Sequence, residues 1–505
     1  MKPHKYLFIF FLLIGSLTAA EEIPQEMKTI MRQKKYEHSI WSIYVKDLEN
    51  ADILYGLNFN KLFSPASTTK LFSVEALLHT FGDDYRFKTP VYASGTIDEA
   101  GTLKGNLILV AQGDFIFGGR ELEKDKVDFT KLDHINANDV PGTVLTKGDP
   151  LRAFNELAQQ IASRGIKEVT GTVIIDDSLF ESVEKRGMNI SPIIINENLI
   201  DITLNPANIG DKAHLSWRPM VKGYTVENQV KTVGEEENLN IVITSDEIGR
   251  TIIVKGSIPV TQKESVRTFS IKDPQHFAVS AFIEALQKNG VKVNQGKEKT
   301  NSYKNQEPIA LFVSPPLSEY AKLILKVSHN LGANLVPLLL ATHQGKRTFD
   351  DGMKILGTFV TDVVKISPDA FVFIDAAGGN DNRLTPKAEI QLLEFIKKQK
   401  PERFQKYFDA LPILGVDGSL QDFAKKTEGA GKIRAKTGTG AAINLATEKP
   451  FLITLAYAGY IEGKNGHLHA FVVIVNNAAL NTFDDILDIF EDEGQISNII
   501  YKHTD

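Results

Sequence analysis

Apolar and polar residues alternate through SIWSIYVKDLENADILYGLN (39–58), on either side of a polar turn at Asn50. That period of two predicts a β-hairpin. The period then changes. In SPASTTKLFSVEALLHTFG (64–82), Leu71, Val74, Leu77 and Leu78 fall on one helical stripe. Ser64 is expected as the N-cap, Pro65 as the first helical residue and Gly82 as the stop. A shorter helix-like stretch precedes both, at 24–35. From about 91 to about 306 the chain reads as strands and turns (GTLKGNLILVAQGD, GTVIIDDSLF, LIDITLNPANIG, LNIVITSDEIGRTIIVKGSIPV). Two amphipathic helices interrupt it, at 151–165 with Leu151, Phe154, Leu157 and Ile161 on one face, and at 274–290 with Phe282, Ile283 and Leu286. The unpatterned polar stretch 294–307 reads as a linker. Helical periodicity returns over 317–344, with Ser328, His329 and Asn330 at a joint. AKTGTG (435–440), then ITLAYAGYI and HLHAFVVIVNN around a GKNGH turn, predict a strand and a hairpin, on which an amphipathic helix at 483–501 should pack.

A chain of 505 residues exceeds what one hydrophobic core organises, so more than one domain is expected. Lys2 and Lys5 precede the apolar run YLFIFFLLIGSLTAA (6–20), which ends in small residues before Glu21 and Glu22. This is the pattern of a secretory signal cut after Ala19 or Ala20; an uncleaved anchor is the alternative. There is no cysteine, hence neither a disulfide framework nor a lipid-modified cysteine. A net charge of -6 leaves no basic footprint for nucleic acid. The expected setting is periplasmic or otherwise exported, the protein being soluble once its signal is removed.

Three strings carry candidate chemistry: SPASTTK (64–70), VSHN (327–330) and AKTGTG (435–440). They read S-x-x-K, S-x-N and K-T-G. In the first, Ser67 and Lys70 share a helix face. Lys70 accepts the Ser67 proton only when neutral, so its pKa must fall by roughly 3 units from about 10.4, a matter of about 4 kcal/mol. Burial and a second cation are the means. Ser182 and Lys185 repeat the spacing in SVEK, read as a surface loop, so the helix-start context separates the two. In the second string Ser328 is a candidate proton relay, and the Asn330 amide a holder of a peptide carbonyl. In the third, Lys436 with the hydroxyls of Thr437 and Thr439 makes a carboxylate clamp, while Gly438 lets a substrate backbone lie close. Any one string alone fits an ordinary turn. The eleven histidines show no metal-ligand spacing, and His467 and His469 read as ordinary strand residues. Asp83, Asp84, Asp484 and Asp485 read as capping or solvated groups beside helices.

Taken together, these strings resemble the class C low-molecular-mass penicillin-binding proteins, D-alanyl-D-alanine carboxypeptidases that also have D,D-endopeptidase activity. The likeness extends to INEN (195–198), DNRLTP (381–386), LPILGVDGSL (411–420), RAKTGTG (434–440), and GTLKGNLILVAQGD with Gly113 and Asp114. Ser67 and Ser328 stand 261 residues apart, and Ser328 and Lys436 108, with the first gap much longer than in β-lactamases resembling this site. The resemblance implies a multi-domain α/β protein. Its penicillin-recognising, serine transpeptidase-like catalytic domain (21–90 and 307–505) would have an antiparallel sheet flanked by helices and an all-helical part. A β-rich region of two subdomains (91–306) would be inserted in it, after a signal peptide at 1–20.

By the same resemblance Ser67 is the acylated nucleophile, Lys70 the base and Ser328 the second-motif hydroxyl. Asn330, Lys436, Thr437, Gly438 and Thr439 bind substrate, and the N–H groups of Ser67 and Thr439 form an oxyanion hole. The implied activity is cleavage of D-Ala–D-Ala, D,D-cross-links or both in peptidoglycan stem peptides. β-Lactams would be covalent inhibitors, with no metal or organic cofactor and no nucleic-acid partner; a peripheral contact with the wall or membrane surface is left open. Four features depart from the family pattern: His329 replaces the usual Asp, Gly440 the usual Leu, Phe115 the usual Pro after Gly-Asp, and DAAGGN (375–380) is a shortened string. The rival readings are a β-lactamase, which length and spacing disfavour, and a weakly catalytic wall-binding scaffold.

Overall fold

The computed structural model describes residues 22–505 except Asn301 and Lys304; the signal-peptide reading lies outside the described residues. The hairpin Ile40–Asp47/Ile53–Leu57 forms as the alternation requires, and it does not stand alone. Strand Ile40–Asp47 pairs along its whole length with Leu468–Ala479, Trp41 facing Val475. Strands Ile433–Asn444 and Lys449–Glu462 complete a five-stranded antiparallel sheet running 433–444, 449–462, 468–479, 40–47, 53–57.

Both faces of this sheet are covered, which is why its strands read as nearly continuous apolar runs. Ile43, Val45, Leu455, Tyr457, Val473 and Val475 face helix Asp485–Lys502 through Ile489, Ile496 and Ile500. The alternate positions, Tyr44, Ala456, Ala458, Tyr460, Val472 and Ile474, join a larger core with helices Lys70–Phe81 and Pro386–Lys397. Helices Leu317–Lys326, Asn330–His343 and Phe349–Thr358 extend that core. Gly352 sits where a Cβ would run into the Pro337 carbonyl, so two of these helices cross backbone to backbone.

A separate core lies within the β-rich stretch. Strands Lys88–Ile97 and Thr102–Val110 are the middle of a six-stranded sheet. Helices Arg152–Ser163 and Pro274–Lys288 pack together beside it, with Phe154 stacked on Phe282 at 5.3 Å. Two three-stranded sheets follow; in one, Thr225–Val233 runs parallel to Thr251–Pro259. The chain leaves and returns side by side, since Ala310–Val313 pairs with Lys88–Ile97. Among the described residues no helix is long and apolar enough to cross a membrane.

Two local expectations need correction. Ser64 does not cap the helix. Its N–H is held by Asn476 Oδ1 at 2.9 Å and its carbonyl by Thr454 Oγ1 at 2.7 Å, so the residue is tied to the sheet. Pro65 takes the cap position of a 3₁₀ turn, Ala66–Thr69, which feeds the α-helix at Lys70. SVEK is not a loop either: Val183–Lys185 pairs with Met188–Ile190 in a small hairpin, where Lys185 lies over the Phe349 ring.

Glu493, fully buried on the last helix, yields a stability test. Burial pushes its carboxyl well above the ordinary range, so it stays protonated in the folded protein at neutral pH. The unfolded chain ionises near pH 4.5, so unfolding releases a proton above that pH and stability falls as pH rises. Glu493→Gln removes this linkage. Its melting temperature should exceed that of the wild type by about 3 °C or more at pH 8, with the gap closing towards pH 4.5 in a thermal melt series.

Candidate active site

Ser67 lies in the 3₁₀ turn and Lys70 starts the α-helix, so three residues of tight helix set them side by side. Lys70 is fully buried. Its Nζ lies 2.7 Å from Ser67 Oγ, 2.9 Å from Asn330 Oδ1 and 2.6 Å from the Ala377 carbonyl oxygen. The last two groups can only accept. A neutral amine has two N–H bonds and one lone pair, so it donates to Asn330 and Ala377 and turns its lone pair to the Ser67 hydroxyl. Burial is the chief reason the Lys70 ammonium falls well below the usual lysine range; the charges of Lys436 and Arg186 push the same way, and Asp375 opposes them.

Lys436 is also fully buried, on strand Ile433–Asn444. Burial lowers it to about 7, and its Nζ donates to the Thr437 carbonyl at 2.7 Å. It reaches Lys70 through its field rather than by a hydrogen bond. Thr437 and Thr439 share the opposite strand face. The Thr437 hydroxyl meets Ser419 Oγ at 2.8 Å, and Thr439 is exposed. Gly438 explains the close approach of this strand: a Cβ there would run into the Pro65 carbonyl and lie 3.2 Å from the Ser67 nitrogen. On the other side Gly378, at φ +92°, would place a Cβ against the Ala66 carbonyl and 2.8 Å from the same nitrogen. The turn that carries Ser67 is thus gripped between two glycines.

The second string occupies the joint between helices Leu317–Lys326 and Asn330–His343. Ser328 is half-buried there at φ +61°, a left-handed conformation that side chains rarely adopt. It is not among the hydrogen-bond partners of Lys70, which are Ser67, Asn330 and Ala377. Asn330 presents its amide oxygen to Lys70 and keeps its NH₂ as a donor.

Sequence reasoning missed the third partner of Lys70 because it is a backbone carbonyl. Asp375 builds the loop that offers it, accepting the N–H groups of Ala377, Gly378 and Gly379 at 3.1, 2.7 and 2.8 Å. Asn382 closes the loop, accepting from Ile374 N–H at 2.8 Å and donating to the Asp375 carbonyl at 3.0 Å. These residues lie in strings already singled out, DAAGGN and DNRLTP, but without a role. Lys326 was also missed. Buried two residues before Ser328, it holds both Asp417 oxygens, at 2.8 and 2.6 Å, and the Leu411 carbonyl at 2.6 Å. The string 411–420 therefore links the second motif to the third, since its Ser419 touches Thr437. The departures from the family pattern fall in contacting pairs. Phe115 lies 5.1 Å from the His329 ring, and a Cβ on Gly440 would come 3.0 Å from Asn380 Oδ1.

Asp133, Glu197 and His329 have ligand-type atoms within 4.8 Å of one another. Their cation is Arg120, whose guanidinium meets both Asp133 oxygens at 2.7 Å and Glu197 Oε2 at 2.9 Å.

The glycine contact generates a direct test. Gly438→Ala should push the strand away from Ser67 and slow acylation of Ser67 by a penicillin about 100-fold, as misplacement near 1 Å does. The melting temperature should fall as well, because the clash is with backbone, so the rate is read on the folded fraction; an unaltered acylation rate there would show that the approach is not needed.

A family model described as D-Ala-D-Ala carboxypeptidase 3 (S13) family matches residues 23–493. The D-alanyl-D-alanine carboxypeptidase of Actinomadura sp. is 23 % identical over 484 residues, 90 % of this chain and 81 % of that one. Penicillin binding protein 4 (dacB) of Haemophilus influenzae superposes with a TM-score of 0.71 at 20 % identity, covering 94 % of this chain and 99 % of that one. Its complex with a β-lactam gives 0.70. The predatory endopeptidase Bd0816 of Bdellovibrio bacteriovorus, in complex with an immunity protein, gives 0.50 at 14 % identity, with 92 % and 94 % covered. With the match running over nearly the whole described chain, the protein belongs to the D-Ala-D-Ala carboxypeptidase 3 (S13) family of serine peptidases.

Proposed function

We propose that the protein is an exported serine D,D-peptidase of the cell wall that works through an acyl-enzyme on Ser67. The observation that carries this reading is the 2.7 Å contact of a buried, pKa-lowered Lys70 with Ser67, its two other partners being carbonyl oxygens. Lys70 takes the hydroxyl proton as Ser67 Oγ attacks the carbonyl of a D-Ala–D-Ala bond. The N–H groups of Ser67 and Thr439 receive the oxyanion. The Asn330 amide donates to a substrate carbonyl, and the Thr437 and Thr439 hydroxyls hold the terminal carboxylate with Lys436 adding its charge from the other strand face; the space at Gly438 is taken by the Pro65 carbonyl rather than by substrate. Ser328 passes the proton on to the leaving amine, and water then releases the acyl group. An amine belonging to a neighbouring stem peptide, in place of free D-alanine, makes the same chemistry an endopeptidase.

We assign the catalytic unit to 21–90 and 307–505 and the accessory region to 91–306; a core drawn chiefly from the latter and the adjacent departing and returning strands support this, while Phe115, Phe180, Ile190 and Ile194 pack into the catalytic core. Export rests on the signal-like start, and the wall or membrane-surface contact stays a proposal of the same kind. The β-lactam complex of the Haemophilus relative supports penicillin as a substrate mimic.

Intact mass after exposure to labelled penicillin should show one adduct per wild-type chain and none on Ser67→Ala. An unlabelled wild type would favour the scaffold reading, and rapid penicillin turnover a β-lactamase. Digests of cross-linked and uncross-linked wall fragments, read by mass, should release D-alanine, split the cross-link, or both.

The two lysines also set a pH profile. Lys436 loses its charge as pH rises through about 7, so the second-order acylation rate should fall about tenfold per unit above that pH. On the acid side the rate should fall where Lys70 becomes protonated. Lys436→Arg, which cannot lose its proton, should abolish the alkaline limb. A wild-type limb near 10 would contradict the assignment.

A further inference from the structure

His329, inside the second motif, is fully buried; its Nδ1 is hydrogen-bonded, while its Nε2 lies within ion-pair range of Glu197 without a well-directed hydrogen bond. Nδ1 accepts the Gly332 N–H at 3.0 Å, capping the helix that begins at Asn330. A nitrogen that accepts cannot carry a proton, so the ring proton belongs to Nε2. Nε2 lies 3.1 Å from Glu197 Oε2. The ring is closely packed. Phe115 lies against it, and a Cβ on Gly332 would sit 2.8 Å from Phe115, 2.9 Å from Ile324 and 3.2 Å from His329 Nδ1.

Glu197 reaches this point from an unusual backbone. Asn196, Glu197 and Asn198 all have positive φ, at 49°, 58° and 59°, a run that persists only when its surroundings over-determine it. Arg120 binds the Glu197 carboxylate through Nε and Nη2 and Asp133 through both Nη atoms, while His134 bridges Glu197 and Asp201. Arg218 Nε reaches Asp201 at 2.9 Å. Against the effect of burial, Asp201 and Glu197 raise His134 to about 10 and keep it charged. Three carboxylates therefore face two guanidiniums and one imidazolium. The cluster is balanced without His329.

We propose that Glu197 and His329 form a positioning pair, in which a carboxylate from the β-rich stretch fixes the imidazole and, through it, aims the Asn330 amide at Lys70. His329 touches no reacting atom and acts through Asn330. This deepens the Ser67–Lys70 reading and rests on it. It also gives the departure at His329 a physical meaning: imidazole here accepts from the helix N-terminus on one side and meets the Glu197 carboxylate at 3.1 Å on the other, with Phe115 as its packing surface.

The test combines a spectrum with a mutant cycle. In ¹⁵N-histidine spectra of the wild type, His329 should be the tautomer protonated at Nε2; a proton on Nδ1 overturns the proposal, whatever the variants do. His329→Asn keeps a good N-cap but shortens the reach to Glu197. Penicillin acylation of the folded fraction should slow about 30-fold in this variant, yet change less than about twofold when Asn330 has already been replaced by alanine. An acylation rate that is unchanged in His329→Asn, or equal losses in both backgrounds, overturns the positioning role. A wild type that penicillin does not label would instead defeat the reading of Ser67 as nucleophile, and the tautomer result would still stand.

Discussion

An amine held out of water governs this site. An ammonium ion at Lys70, with no carboxylate against it and a second buried lysine nearby, is costly in so dry a place, which favours loss of the proton. What remains is a base whose lone pair has one productive direction, because Asn330 and Ala377 offer only acceptors. Lys436 shares the environment, and in the proposed reaction its positive charge is the one offered to a substrate carboxylate. Burial brings it to about 7, within the range in which it can carry that charge. The same desolvation thus lowers both lysines, which in the proposed reaction act as base and as carboxylate clamp.

Keeping that amine dry depends on distant parts of the chain meeting without gaps. The first and last thirds of the sequence zip together in one sheet, and the strand bearing Lys436 then lies against the turn bearing Ser67 with no room for a side chain at Gly438. The loop at Ala377 closes from the other side, stiffened by one carboxylate that takes three backbone N–H groups. The second motif is fastened at both ends, through Lys326 to the segment beside Thr437 and through His329 to Glu197. The β-rich stretch is therefore connected to the chemistry by charge and packing, not by covalent continuity alone.

Much of this was legible in the sequence because the reacting side chains are few and their spacings rigid. Ser67 and Lys70 three apart, and Lys436 beside two threonines, state their chemistry directly. The hairpins and helices followed from periodicity, which reports burial one face at a time. What stayed hidden is carried by backbone or by long-range pairing. The Ala377 carbonyl has no letter of its own, and Asp375 or Lys326 becomes meaningful only once its partners are known. The pairing of Trp41 with Val475 is a tertiary fact. Ser64 misled for a related reason: local preference favoured a cap, but the residue is bound to the sheet by Asn476 and Thr454, and tertiary hydrogen bonds outweighed it.

The central claim concerns a single proton, and the ¹⁵Nζ resonance of Lys70 reports it. At pH 7 the resonance should be that of a neutral amine, and replacing Lys436 with methionine should move its titration to higher pH by removing a nearby positive charge. A Lys70 that remains an ammonium ion from pH 7 to 9 would contradict the account, since Ser67 would then have no base.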